Sequence, residues 1–196
     1  MAKRLVDLLL SALGIVILAP AFIVIALLVK LDSPGPALFL QERVGMRGRI
    51  FRIHKFRTMR AAAGGAQVTA ANDTRITRVG QILRKFKLDE LPQLFDVFIG
   101  NMSLVGPRPE VQRYVAHWPE DARREILSVR PGITDPMTLE IFDEAKMLEG
   151  AHDPERKYVE EILPLKVQGY LRYVRERSTV GDLRVILRTV ARAVRG

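Results

Sequence analysis

The chain has 196 residues, 48% of them apolar, with 31 Lys and Arg against 22 Asp and Glu. That is enough for one domain with a sizeable core, and too apolar for a disordered polyelectrolyte. Cysteine is absent, which excludes disulfides, thiol nucleophiles and thiolate-held zinc or iron–sulfur centres, and His54, His117 and His152 stand too far apart to suggest a His-rich metal site. The net charge of +9 is segregated, with +7 over residues 1–60, −4 over 61–164 and +6 over 165–196. Two basic ends around an acidic middle suit a protein facing an anionic surface. With 7% aromatics and no zinc-finger or RNA-binding pattern, a bilayer is the better match and no nucleic-acid partner is expected.

From Leu8 to Val29 there are 22 residues without a charge, a helix of roughly 33 Å at 1.5 Å per residue, enough to cross a hydrocarbon core. A cleaved signal peptide fits poorly, because the apolar run continues past the small-residue site at Ala19-Pro20-Ala21. The length fits a spanning helix. Pro20 near the middle fits a helix that enters, bends and returns to the same face. The residues alone leave these two open.

Asp32-Ser33-Pro34-Gly35-Pro36 marks the exit from the apolar run. Ala37–Glu42 and Arg49–His54, separated by Gly45 and Gly48, read as a small β-hairpin. Residues 61–73, rich in Ala, Gly and Asn, look like a loop, and Thr77–Lys85 like a short helix. Over Glu90–Ile99, Leu91, Leu94, Phe95 and Phe98 recur at helical spacing up to Gly100, which predicts an amphipathic helix with Asp89 at its N-cap. Gly106-Pro107-Arg108-Pro109 and Arg130-Pro131-Gly132 are rigid loops, each presenting one arginine; residues 135–161 are strongly acidic and read as solvated surface. The last helix, predicted over Gly181–Arg195, carries an apolar stripe (Leu183, Ile186, Leu187, Val190) beside an arginine stripe (Arg184, Arg188, Arg192, Arg195). Such a helix suits a membrane interface, and it can serve a homodimer as well. The fold class expected is α-rich α/β, mainly helical with a small hairpin.

Asp89-Glu90 is the chemically suggestive pair. A carboxylate can attack phosphorus and a neighbouring acid can share a divalent cation with it. Lys55, Arg57, Arg84, Lys85, Arg108 and Arg130 lie in loops or at element ends, where guanidinium forks match phosphate oxygens. No Walker A or GxGxxG loop occurs to hold a nucleotide by its backbone.

Five stretches occur in order: Lys3-Arg4-Leu5-Val6-Asp7, Phe51-Arg52-Ile53-His54-Lys55-Phe56-Arg57-Thr58-Met59, Leu88-Asp89-Glu90-Leu91-Pro92-Gln93-Leu94, Met102-Ser103-Leu104-Val105-Gly106-Pro107-Arg108-Pro109-Glu110 and Arg130-Pro131-Gly132-Ile133-Thr134. Together they resemble the bacterial sugar transferase family, the small monotopic phosphoglycosyl transferases acting on polyprenol phosphate. The likeness runs from about residue 3 to about residue 190 and has the extent of the minimal catalytic form. It implies transfer of a sugar-1-phosphate from a UDP-sugar to undecaprenyl phosphate with release of UMP, through a covalent aspartyl-phosphosugar intermediate and with Mg²⁺. On this resemblance Asp89 is the nucleophile and Glu90 completes the dyad, with the metal beside them. Lys55, Arg57, Arg84, Arg108 and Arg130 become phosphate contacts, and Pro20 the break of a re-entrant helix. The implied organisation is a re-entrant membrane helix over 1–31, a cytoplasmic catalytic domain over 32–180 and a basic interfacial helix over 181–196. The implied location is the cytoplasmic face of a bacterial inner membrane, against anionic lipid. Two departures stand out. Ala19 replaces the Ser that many members have before the proline. Asp135-Pro136-Met137-Thr138 replaces a Gly-x-Ala-Gln-Val-Asn-Gly-Arg stretch, in a loop suited to sugar selection, so no sugar identity follows. The contrasting expectation is a membrane-anchored scaffold that binds anionic headgroups without catalysis.

Overall fold

The structure, a computed structural model, describes residues 2–60, 73–140 and 147–195. It is mostly helical, with one two-stranded antiparallel sheet and one short parallel pair. Helix α1 (Ala2–Asp32) is long and apolar enough to cross a membrane by length and composition. Pro20 lies inside it and does not interrupt it, so the break expected there is absent as a gap in the helix. The proline removes one backbone donor and the flanking turns keep helical geometry around it.

One stripe of α1 lies along the rest of the molecule, and both of its ends are tied to that same body. Near the N-terminus, Lys3 pairs with Asp182 at 2.5 Å, Arg4 donates to the carbonyls of Val97 and Phe98, and Asp7 accepts from Ser103 Oγ and Leu104 N–H. Midway, Gly14 passes close to Leu94. Phe22 then stacks at a tilt on Phe56 and Phe95, and Ile25 and Val29 pack with Phe56 and Leu83. Asp32 finally accepts from Val79 N–H. The opposite face is apolar and exposed, with Val16 at 72% and Leu31 at 84%.

Strands β1 (Leu38–Val44) and β2 (Ile50–Phe56) form the hairpin in the register Leu38↔Phe56 to Val44↔Ile50, each reaching two residues further than the sequence suggests. Helix α2 (Arg78–Lys85) is capped by Thr77, whose hydroxyl accepts from Gly80 N–H at 3.0 Å. A Cβ at position 80 would collide with the Thr58 backbone, so the helix docks there only with glycine.

The helix predicted over Glu90–Ile99 divides. Leu88–Glu90 form a 3₁₀ turn, and α3 begins at Gln93 and ends at Ile99, with Gly100 closing it at φ 93°. Pro92 has no N–H to donate, and the bonds around it close as i→i+3, from Leu91 to Leu88 and from Leu94 to Leu91. Asp89 therefore does not cap α3. The turn is entered through Lys87, a non-glycine residue at φ 56°.

Strand β3 (Ser103–Val105) runs parallel to β4 (Gly132–Thr134) and brings the two arginine-bearing loops together. The backbones cross so closely at Gly106 and Gly132 that neither position accommodates a Cβ. Helices α4 (Gln112–Val115), α5 (Glu120–Ile126), α6 (Pro136–Glu140), α7 (Pro154–Lys157) and α8 (Leu163–Glu176) surround the main core, with a π-helical turn at Tyr158–Ile162 between the last two. Helix α9 (Thr179–Arg195) docks through Asp182, Val185, Ile186 and Thr189, leaving Leu183, Leu187 and Val190 exposed beside its arginines. The loop expected over 61–73 lies outside the described residues except for Asp73, and the acidic stretch over 135–161 is described only in part.

Candidate active site

The 3₁₀ turn after Lys87 buries two adjacent carboxylates, Asp89 and Glu90, each 9% exposed. Their environments differ. Glu90 accepts from Lys55 Nζ at 2.9 Å and from both terminal nitrogens of Arg108, a fork on one carboxylate. Burial opposes its ionisation, but Arg108 and Lys55 outweigh that and hold Glu90 far below the usual glutamate range. Asp89 has an oxygen, Oδ1, that is buried without any hydrogen-bond partner. Burial first, and the Glu90 charge second, push the Asp89 carboxyl up, against Lys55, Lys87 and Arg84. The same burial presses the Lys55 ammonium down.

Each clamp is held by the fold. Lys55 comes from β2, whose preceding residue His54 binds Asp96 of α3 through its backbone N–H at 2.9 Å and its Nδ1 at 2.8 Å. Arg108 comes from the loop after β3, which Gly132 N–H and Arg43 hold through the carbonyls of Pro107 and Pro109. Arg108 also donates to Ile133 O of β4.

Of the residues singled out in the sequence, the structure brings Asp89, Glu90, Lys55 and Arg108 into one cluster, with Arg84 near enough to act on Asp89 by its charge. Arg57 and Arg130 are engaged elsewhere. Arg57 donates to the carbonyls of Val29, Ser33 and Pro34 at the exit of α1. Arg130 donates through Nε to Gly100 O at 2.8 Å, at the C-terminus of α3, where Arg4 also binds. Pro20 lies on the exposed side of α1.

Two residues of this segment escape a sequence reading. Lys87 acts on Asp89 only because its left-handed backbone turns the chain there. Gln93 is 2% exposed with its amide nitrogen unpartnered, and its only signal in the sequence is a polar residue among the apolar positions of α3.

A magnesium ion fits this donor set in a restricted way. Asp89 has a free buried carboxylate oxygen, whereas both oxygens of Glu90 are committed to cations. Among the described residues no group of three or more His, Asp or Glu is placed to hold a metal. Mg²⁺ commonly binds through one or two carboxylates together with phosphate oxygens and water, and Asp89 suffices for that.

Comparisons with known proteins agree on the family. The chain is 40% identical over 194 residues to a UDP-glucose:undecaprenyl-phosphate glucose-1-phosphate transferase of Caulobacter vibrioides, covering 96% of this chain and 68% of that protein. It is 46% identical over 138 residues to a UDP-N-acetylgalactosamine-undecaprenyl-phosphate N-acetylgalactosaminephosphotransferase of Aeromonas hydrophila, covering 67% of this chain and 32% of the longer relative. An exopolysaccharide production protein of Rhizobium leguminosarum is 38% identical over 198 residues, covering 96% of this chain and 92% of that protein. The profile of the bacterial sugar transferases matches residues 1–196, and the chain belongs to that family.

Proposed function

We propose that this protein transfers a sugar-1-phosphate from a UDP-sugar to undecaprenyl phosphate, with Asp89 as covalent nucleophile. The observation that carries this is an Asp89 carboxylate with a buried oxygen left without a partner, beside a Glu90 whose charge Lys55 and Arg108 already balance. An Asp89 oxygen attacks the sugar-bearing phosphorus, the bond to the α-phosphate oxygen breaks, and UMP leaves. A phosphate oxygen of undecaprenyl phosphate then attacks the same phosphorus and expels the Asp89 carboxylate, giving the lipid-linked diphosphosugar. Arg84 and Lys87 supply positive charge near Asp89, where anionic oxygens accumulate. Asp89 would hold Mg²⁺ together with the substrate phosphates, and the ion would supply charge neutralisation at the diphosphate.

The membrane part of the reading is monotopic. Both ends of α1 are bound to the same globular body, by Lys3, Arg4 and Asp7 at one end and by Asp32 at the other, which supports a helix lying along one membrane face over one that spans. The exposed apolar face of α1 and the exposed stripe of α9 would meet the inner membrane from its cytoplasmic side.

The test mixes purified protein, undecaprenyl phosphate, Mg²⁺ and a panel of UDP-sugars and identifies the nucleotide released. UMP that disappears with Asp89→Asn supports the reading. UDP would mean ordinary glycosyl transfer, and full UMP release by a folded Asp89→Asn protein would remove the nucleophile.

A further inference from the structure

Gln93 is one of the most deeply buried side chains of the molecule, at 2% exposure, and its Nε2 has no hydrogen-bond partner. A buried donor left unpaired costs stability, and methionine would fill the same volume without that cost. Two anchors prevent the segment from shifting to relieve it. Successive residues of β2 bind either side of Gln93, with Lys55 on Glu90 at 2.9 Å and His54 on Asp96 at 2.8 Å. Gln93 lies between them on the stretch held against the strand, four residues beyond Asp89. Asp89 is also buried, and its Oδ1 is an acceptor without a partner. An unpaired amide donor and an unpaired carboxylate acceptor thus sit about one turn apart on the same buried stretch.

We propose that Gln93 is a positioning residue for Asp89: during reaction its Nε2–H donates to Asp89 Oδ1, so that Oδ2 is the oxygen presented to phosphorus. The inference rests on the reading of Asp89 as nucleophile. When the Oδ2–phosphorus bond forms, Oδ1 becomes the carbonyl oxygen of the acyl phosphate and still accepts from the amide. The bond therefore persists through both half-reactions, and no proton changes owner.

The experiment uses the full chain in detergent or lipid nanodiscs, with a UDP-sugar that the wild type turns over, and follows the UMP burst together with steady-state kcat and KM. Gln93→Met is expected to lower the burst rate and kcat about 10- to 100-fold, the equivalent of one hydrogen bond to a charged acceptor, with KM within about twofold and Tm equal or higher. Gln93→Glu, which keeps the shape but adds a negative charge beside Asp89, is expected to lose more. A Gln93→Met protein with a wild-type burst would overturn the proposal. So would a loss of kcat that comes with a lower Tm and a raised KM, the pattern of a packing role. Asp89→Asn in the same assay separates the two levels: retained turnover there removes the nucleophile itself, whereas an inactive Asp89→Asn beside a normal Gln93→Met removes only the part given to Gln93.

Discussion

Two buried carboxylate centres of this protein, around Asp89 and around Glu110, show how similar ingredients serve different ends. Glu110 accepts from Tyr158 Oη at 2.7 Å and Lys166 Nζ at 2.5 Å, with Arg43 at 3.6 Å, and Lys166 also donates to Tyr158. Burial opposes its charge, but Lys166 and Arg43 outweigh that and keep Glu110 below its ordinary range. The centre is closed: it joins β1, the loop carrying Arg108, the π-helical turn and α8. At the Asp89 centre the cations close on Glu90 instead, and Asp89 keeps an unpaired oxygen. A satisfied buried carboxylate holds a fold together, and an unsatisfied one beside positive charge is available for chemistry.

The largest effect is expected at Asp89. Asp89→Asn is expected to lower UMP release by at least about a thousandfold, as loss of a covalent nucleophile does. Its Tm should stay unchanged or rise, because the substitution removes a buried carboxyl whose ionisation burial disfavours. A large fall in Tm would make Asp89 part of the scaffold, like Glu110.

The opposite result is expected at the closed centre. Lys166→Met leaves Glu110 without its closest cation, and denaturant unfolding should register a loss of about 3–5 kcal/mol. If the variant is as stable as wild type, the centre is not the structural one.

Arg57→Lys comes next. An ammonium cannot reproduce the fork on the Val29, Ser33 and Pro34 carbonyls, so stability should fall by about 1–3 kcal/mol, with kcat per folded molecule kept within a few-fold. A collapse of kcat at unchanged Tm would return Arg57 to phosphate binding.

The smallest expected effect lies in the pH dependence of stability. The folded-state pKa of Glu110 lies below its ordinary 4.5, so its ionised form stabilises the fold above that pH, and the contribution is lost as pH falls through the folded value. Glu110→Gln should therefore narrow the stability gap between neutral and acid solution, and an unchanged acid limb would show that other carboxylates control it.

Much of the site was legible in the sequence because its chemistry is local. Asp89 and Glu90 are adjacent, Lys55 and Arg108 lie in compact motifs, and the hairpin and the terminal helices follow from turn residues and periodicity. The arginines show where such reading stops. Arg57, Arg108 and Arg130 all sit in motif-like surroundings, yet only Arg108 reaches the dyad. The exit of α1 takes Arg57, and the C-terminus of α3 takes Arg130. The helix starts later than its periodicity predicts for a related reason. Apolar periodicity is blind to Pro92, whose missing donor tightens the preceding turn into 3₁₀ geometry and turns Asp89 from a cap into a buried group.

The sequence by itself determined the family, the long apolar helix, the carboxylate pair and the basic character of both ends, because each is a property of neighbouring residues. The tertiary structure alone decided which carboxylate of the pair is neutralised, which arginine reaches the dyad, and that the two ends of α1 bind one body. Those outcomes depend on which charges and carbonyls meet across 18 to 179 residues of chain, and no local pattern encodes that meeting.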